Sequence, residues 1–174
     1  MILKVKTLLL VLFFGVVSCS YSSEYQAVKI NNQYSMSFPD FMEAADSKKQ
    51  LNETANLQYL NYFRNIYTIV NEFDMDDSLS LEAFSKAQKK TLTKALQKPI
   101  LVSEKDLEIN GLAAKQTRLT GIVGNEELNE KMYYCLTHIE GKKKRYEVVF
   151  WTWDKHRNKY AADINKIMAS FREL

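Results

Sequence analysis

The chain has 174 residues, of which 46% are hydrophobic and 26% are charged, and its formal net charge is +3. Acidic and basic residues nearly balance, which argues against a nucleic-acid partner, because binding nucleic acid requires a strong basic excess or a basic face. Its two cysteines, Cys19 and Cys135, provide no disulfide framework if one of them is modified.

The first eighteen residues have the pattern of a secretory signal peptide. Lys4 and Lys6 precede an almost wholly apolar run from Thr7 to Val17. As a helix, this run is too short to cross a hydrocarbon layer about 30 Å thick, and it is typical of the apolar region of a signal peptide. We predict that residues 1–18 are removed. The remaining 156 residues carry a net charge of +1, because the removed segment contains two lysines and no acid.

The end of this apolar run, Val16-Val17-Ser18-Cys19, resembles the bacterial lipobox. The resemblance implies that Cys19 receives a diacylglycerol thioether, that the chain is cut before it, and that the new amine is acylated, as with palmitate. Each buried lipid methylene contributes about 0.8 kcal/mol, so two or three chains make a lasting anchor. The alternative is a secreted protein in which Cys19 has no role. The residue after the cysteine is Ser20 and not aspartate. By analogy with the sorting of lipoproteins in enteric bacteria, this favours the outer membrane over the inner membrane.

Residues 19–24 are predicted to be a lipidated polar tether, and residues 25–174 a single domain. The domain begins with alternating runs at Tyr25–Ile30 and Tyr34–Phe38, which predict a β-hairpin. Residues 41–54 are polar and irregular, with room for one helical turn.

A second hairpin is predicted from two aromatic and β-branched runs, Leu57–Phe63 and Ile66–Phe73. Arg64-Asn65 separates them, and asparagine tolerates the left-handed conformation that a tight turn requires. The acidic residues Asp74 to Asp77 then form an exposed loop.

Between Ser80 and Gln97 the apolar residues no longer alternate with polar ones but recur at the spacing of a helix. Ser80 is the predicted N-cap, and Lys98-Pro99 is the predicted end. The predicted apolar face consists of residues at helical spacing: Leu81, Phe84, Ala87, Leu92, Ala95 and Leu96.

The remainder predicts four strands followed by a helix over residues 154–171. The strands are residues 101–109, 112–122, 132–139 and 145–153. The apolar face of the helix is Tyr160, Ala161, Ile164, Ile167, Met168 and Phe171. Because neighbouring strands are joined by hairpins, the order of elements predicts an α+β fold, in which helices pack on an antiparallel sheet.

Four stretches together resemble the PsbP-like proteins over residues 25–172. They are YSMSFPDF, SLEAFSKAQKKTLTKAL, LEINGLAAKQTRLTG and the paired strands KMYYCLTHIEGKKKRYEVVFWTW before a helix that ends IMASF. The resemblance implies an α/β/α sandwich. Members with known roles, such as a photosystem extrinsic subunit and a nuclear-import regulator that binds a small GTPase, are binding or assembly modules. The family has no common catalytic motif, so the resemblance assigns no functional residue.

The nucleophilic and metal-binding residue types do not form a recognisable site in the sequence. Cys135 and His138 are separated by an odd number on one strand, so we expect their side chains to lie on opposite faces. We interpret Cys135 as a small core residue and His138 as a hydrogen-bonded sheet residue. His156 is expected in the exposed first turn of the last helix, too far along the chain to give a zinc motif with His138. The loop from Asp74 to Asp77 lacks the glycine and distal glutamate of a calcium loop.

Two surface hypotheses remain open. The basic cluster Lys142 to Arg145 is interpreted as a solvated hairpin tip, with contact to anionic lipid headgroups as the alternative. The aromatic residues of the last strands are interpreted as divided between the two packing layers, with a ligand-stacking face as the alternative. These residues are Tyr133, Tyr134, Tyr146, Trp151 and Trp153.

The sequence therefore favours a lipid-anchored, periplasm-facing protein of the bacterial cell envelope that acts as a non-catalytic binding or assembly module. We expect the membrane and an envelope protein as partners, and no cofactor or metal. The second hypothesis is a periplasmic carrier that holds a small ligand in a pocket between sheet and helix. An enzyme is the third.

Overall fold

The computed structural model describes residues 23–46, 48, 50–124 and 130–174. These residues form two α-helices, α1 (Leu81–Ala95) and α2 (Ala161–Ala169). They also form ten strands: β1 (Tyr25–Ile30), β2 (Tyr34–Pro39), β3 (Glu43–Ala44), β4 (Leu57–Asn61), β5 (Ile66–Asp74), β6 (Gln97–Ile109), β7 (Leu112–Val123), β8 (Glu130–Glu140), β9 (Lys144–Trp153) and β10 (Arg172–Glu173).

Seven strands make one antiparallel sheet in the order β3-β4-β5-β9-β8-β7-β6, and β1-β2-β10 make a small second sheet. The predicted hairpins β1–β2, β4–β5, β6–β7 and β8–β9 are all present. The α+β fold with an antiparallel sheet is therefore confirmed.

Alternation along the strands gives the large sheet two apolar faces, as the side chains of β9 illustrate. Val148 and Phe150 are buried in the larger core, which the sheet shares with α2 and the small sheet. Val149 and Trp151 pack instead against the smaller core under α1. One helix therefore lies on each face of the sheet, and the predicted α/β/α sandwich is confirmed.

Helix α1 begins where the sequence predicts, but its buried face is rotated from the predicted one. Ser80 caps the helix, and its hydroxyl accepts a hydrogen bond of 3.2 Å from the backbone N–H of Ala83. Phe84 and Ser85 are the buried residues of the helix, whereas Ala87 and Ala95 are exposed. The predicted face was thus wrong at both alanines, because a polar side chain, Ser85, occupies the position that faces the sheet.

Leu96 follows α1 and fastens its end to the sheet. It is buried and packs with Leu119 and Leu136. A Cβ atom at Gly121 on β7 would lie 2.9 Å from the Leu96 side chain, so only glycine allows this close approach.

Strand β6 begins at Gln97, four residues before the predicted start at Leu101. Lys98 has a positive φ of 48°, and the register with β7 shifts between Gln97 and Ile100, so the chain forms a bulge around Pro99. β6 is an edge strand, where proline leaves no partner unsatisfied. The helix ends at Ala95, before the predicted Lys98-Pro99, and the proline does not prevent the strand.

The single helix predicted over residues 154–171 was wrong. Residues Asp154–His156 form one 3₁₀ turn, and α2 begins only at Ala161. Between them the buried Tyr160 donates a hydrogen bond of 3.0 Å from its hydroxyl to the carbonyl of Arg64 in the β4–β5 turn. His156 is half-buried, not exposed, and its ring centroid lies 5.5 Å from that of Trp153.

The basic cluster at residues 142–145 is not a tip of four solvated charges. Arg145 is buried and donates two hydrogen bonds to the carboxylate of Glu140, at 2.7 and 2.8 Å. Lys144 forms an ion pair with Asp74. Charged residues at the ends of hairpin strands can form ion pairs with residues of the neighbouring strand. A cluster of like charges in the sequence does not reveal such ion pairs.

No helix in the described residues is both long enough and apolar enough to cross a membrane.

Phe84→Ala should lower the free energy of unfolding by about 3–5 kcal/mol, because Phe84 is buried and its ring packs against Phe73 and His138. Lys86→Ala, on the exposed side of α1, should change stability by less than about 0.5 kcal/mol. Urea unfolding followed by circular dichroism measures both variants. Equal stability of the two would contradict the packing of α1 on the sheet.

Candidate functional site

A groove runs along α1 where the helix leaves part of the large sheet uncovered. α1 packs over β7 and β8. Beside it, Ile69 of β5 and Val149 and Trp151 of β9 form an open floor with Leu136 of β8. The groove has a volume of about 420 Å³. A concave, largely apolar site of this size is typical of a small-ligand site or of a slot for part of a partner.

Two walls enclose the groove. One wall is the flank of α1, formed by Gln88, Thr91, Leu92 and Ala95, and the other includes Asn52 of the segment before β4. Asn52 is placed there because its carbonyl accepts a hydrogen bond of 2.6 Å from the side-chain amide of Gln58, and Gln58 Oε1 accepts from the backbone N–H of Leu51 at 2.7 Å. Hydrogen bonds between the Gln58 side chain and the backbone therefore hold this wall in place.

One end of the groove is aromatic. The half-buried ring of Trp151 stacks on that of Tyr67, with centroids 5.4 Å apart and planes 17° from parallel. Tyr62 meets Tyr67 edge to face, and Tyr134 lies on the neighbouring strand. Burial raises the pKa of the Tyr134 hydroxyl to about 12, so this hydroxyl is neutral at physiological pH. Such a surface suits flat or apolar groups.

The other end is polar and is organised by His138. The His138 ring is fully buried, with Nδ1 2.9 Å from Ser85 Oγ and Nε2 3.2 Å from Glu147 Oε1. A carboxylate only accepts hydrogen bonds, so Nε2 donates to Glu147. In the neutral ring Nδ1 then accepts from the Ser85 hydroxyl. His138 therefore links α1, β8 and β9 through side chains.

The polar end presents hydrogen-bond acceptors to the groove. Asn71 Nδ2 donates to Glu147 Oε2 at 2.9 Å, and both residues line the groove. Asn71 Oδ1 is buried and has no hydrogen-bond partner among the described residues. A buried acceptor without a partner costs free energy until it is satisfied. Because Asn71 Oδ1 is buried, the acceptor that lines the groove at this end is the Glu147 carboxylate, whose side chain is 10% exposed.

The order Ser85–His138–Glu147 matches the residue types of a hydrolytic triad, but its geometry does not serve hydrolysis. Ser85 is 1% exposed beneath α1 and is not among the groove-lining residues. A nucleophile must reach the reacting carbonyl of a substrate. The arrangement instead holds Glu147 in place and joins the helix to the sheet.

The other residues considered in the sequence lie away from this groove. Cys19 falls outside the described residues. Cys135 is fully buried in the core on the α2 side, so it lies on the opposite face from His138, and burial raises the pKa of its thiol. No group of three potential metal-ligating side chains occurs in the described part of the chain.

The aromatic residues divide between the two layers, and two of them, Tyr134 and Trp151, also line the groove. Tyr133 and Tyr146 belong to the larger core, whereas Tyr134, Trp151 and Trp153 face the α1 side. Trp151 is half-buried at the groove, so the stacking hypothesis applies to it. Sequence reasoning missed Glu147, although its position two residues before Val149 on an alternating strand places it on the α1 face.

Neither a protein-family model nor a curated protein matches the chain. The solved structures that resemble it include the following three. CyanoP, the cyanobacterial PsbP of Synechocystis, superposes with a TM-score of 0.66 at 10% identity, covering 92% of this chain and 99% of its own. The Ran-binding protein Mog1p of Saccharomyces cerevisiae has a TM-score of 0.60 at 13% identity, covering 87% and 96%.

The third is LpqN of Mycobacterium tuberculosis, involved in cell envelope biogenesis, with a TM-score of 0.51 at 10% identity, covering 86% of this chain and 90% of its own. The chain has a PsbP-like fold. The resemblance seen in the sequence is therefore confirmed as a fold, and at these identities the PsbP-like fold alone follows from it.

His138→Ala should destabilise the protein by about 3 kcal/mol, because it leaves a cavity and deprives Ser85 and Glu147 of a buried partner. The matched change His156→Ala should cost less than about 1 kcal/mol, since His156 is half-buried and its Nδ1 has no hydrogen-bond partner among the described residues. Thermal melts compare the two, and similar shifts would show that the His138 contacts do not fasten α1.

Proposed function

We propose that this chain is a lipid-anchored, periplasm-facing protein of the bacterial cell envelope, and that it acts as a non-catalytic binding or assembly module. Its binding surface is the groove beside α1. The observation that carries the proposal is the half-covered sheet face, where Trp151 and Glu147 line an open groove above a well-packed floor. A concave, largely apolar groove with a few polar groups is the usual form of a binding site in a folded domain.

The structural neighbours support a binding role. Mog1p is a Ran-binding protein, and LpqN is involved in cell envelope biogenesis. Proteins with this fold therefore include a binder of another protein and an envelope protein. The lipobox-like residues ending at Cys19 support the anchor and the envelope location, with the outer membrane favoured by Ser20.

A second candidate function is a periplasmic carrier of a small ligand. The groove favours it, because its volume of about 420 Å³ suits a small molecule and its two ends differ in chemistry. Trp151 can stack on a flat part of the ligand, and the Glu147 carboxylate can accept hydrogen bonds from it. An enzyme is the least favoured function, since the triad-like Ser85 and His138 are buried between α1 and the sheet.

Cys19→Ser should release the protein from membranes, because a single thiol carries the whole anchor. Cys135→Ala is the matched control: it removes a buried sulfur, costs about 1 kcal/mol of stability, and should leave membrane association unchanged. Labelling with a palmitate analogue, followed by membrane fractionation, measures both. Equal labelling of the Cys19→Ser chain and the parent would disprove the anchor.

Thr91→Tyr should abolish recovery of whatever the groove binds, because Thr91 is an exposed residue of the groove wall and a tyrosine there fills the space. Lys90→Tyr adds the same bulk at an exposed position of α1 outside the groove. Both chains are purified from detergent extract and analysed by mass spectrometry beside the parent.

Loss of a stoichiometric protein from the Thr91→Tyr sample alone would identify an assembly partner, and loss of a small molecule would identify a carried ligand. Equal recovery from all three samples would show that the groove is not the binding surface.

A further inference from the structure

The turn between β4 and β5 displays a phenylalanine that is almost wholly in solvent. The Phe63 side chain is 99% exposed, and the neighbouring Tyr62 is 45% exposed. The turn is tight: Asn65 has a φ of 52° and donates from its backbone N–H to the Tyr62 carbonyl at 3.2 Å, and the Arg64 N–H donates to Asn61 Oδ1 at 2.9 Å. An ordered turn therefore projects an apolar ring away from the protein.

This turn lies beside the start of the described chain. Ser23 lines a hollow together with Asp40, Phe41, Arg64 and Lys159. The guanidinium of Arg64 lies 4.1 Å from the centre of the Phe41 ring. Phe41 also lines the adjoining hollow that Phe63 borders. The residue that follows the tether and the exposed ring therefore share one end of the molecule.

The length of the tether limits how far this end can lie from a lipid on Cys19. Ser23 is four residue steps from Cys19, so even a fully extended tether spans at most about 14 Å. An anchored chain must then present the end that contains Ser23 to the membrane. The hairpin of Lys142 and Lys143 lies at the opposite end of the ten-residue strand β9, about 33 Å away.

We propose that the β4–β5 turn is a membrane-contact surface, in which Phe63 enters the headgroup region of the leaflet that holds the lipid on Cys19. The proposal rests on the lipid anchor proposed above. Acidic and basic side chains are mixed around the turn, with Arg64 and Lys159 near Asp40. The contact is therefore driven by the apolar ring and needs no anionic lipid. It fixes the orientation of the domain, with the hairpin of Lys142 away from the membrane.

The depth of position 63 tests the proposal in the full chain. The Phe63→Cys protein is purified from membranes, labelled with an environment-sensitive dye, and placed in phosphatidylcholine vesicles that carry a lipid-borne quencher. Cys135 is fully buried and does not take the dye. The control is a dye at position 143 after Lys143→Cys. We expect the fluorescence at position 63 to be lost to the quencher, and that at position 143 to persist.

A second measurement tests the contribution of the Phe63 ring to membrane binding in the absence of the lipid on Cys19. In the full chain with Cys19→Ser, Phe63→Ser should weaken residual binding to vesicles about tenfold, because burial of a phenylalanine is lost. Leu174→Ser, which alters a 48%-exposed apolar residue at the opposite end, should leave binding within about twofold.

The two proposals fail differently. A chain that takes palmitate at Cys19 but has equal fluorescence at positions 63 and 143 keeps its anchor and overturns the contact surface. If the chain takes no palmitate, the labelling is repeated with Cys19→Ser, so that position 63 alone carries the dye. Quenching there overturns the anchor and retains the surface. Absence of both signals overturns both.

Discussion

The architecture depends on unequal coverage of the large sheet. Both of its faces are apolar, since successive residues of β9 such as Val148 and Val149 belong to different cores. α2 and the small sheet cover one face, whereas α1 is the only helix in the described residues that lies on the other. The strands left open beside α1 become the floor of the groove. The binding surface is thus a direct result of a sheet wider than the helix that covers it.

A buried polar chain determines where that helix lies. The His138 ring joins Ser85 of α1 to Glu147 of β9, and Glu147 in turn accepts from Asn71 of β5. Apolar packing by itself allows a helix to slide over a sheet, but hydrogen bonds of fixed length do not. The same contacts hold the Glu147 carboxylate at the polar end of the groove, so one set of residues provides both the position of α1 and part of the site.

Local patterns in the sequence predicted most of the fold, because hairpin turns and helix caps are short-range features. Asn65 and Ser80 illustrate this: each acts within three residues of its own position, and each has its predicted role. The errors concern residues whose polar partners lie on another strand or helix. Arg145 is buried by Glu140 across a hairpin, and the polar partners Ser85 and His138 are 53 residues apart, so neither follows from the spacing of apolar residues.

Hydroxyl-radical footprinting of the full chain in its native membrane, compared with the purified chain, tests most directly whether the half-covered face is the binding surface. Trp151 in the groove should be protected in the membrane sample, and Leu174, a 48%-exposed residue at the end opposite Ser23, should react equally in both. Protection of Leu174 with unchanged oxidation of Trp151 would contradict the account, because the partner would then bind away from the groove.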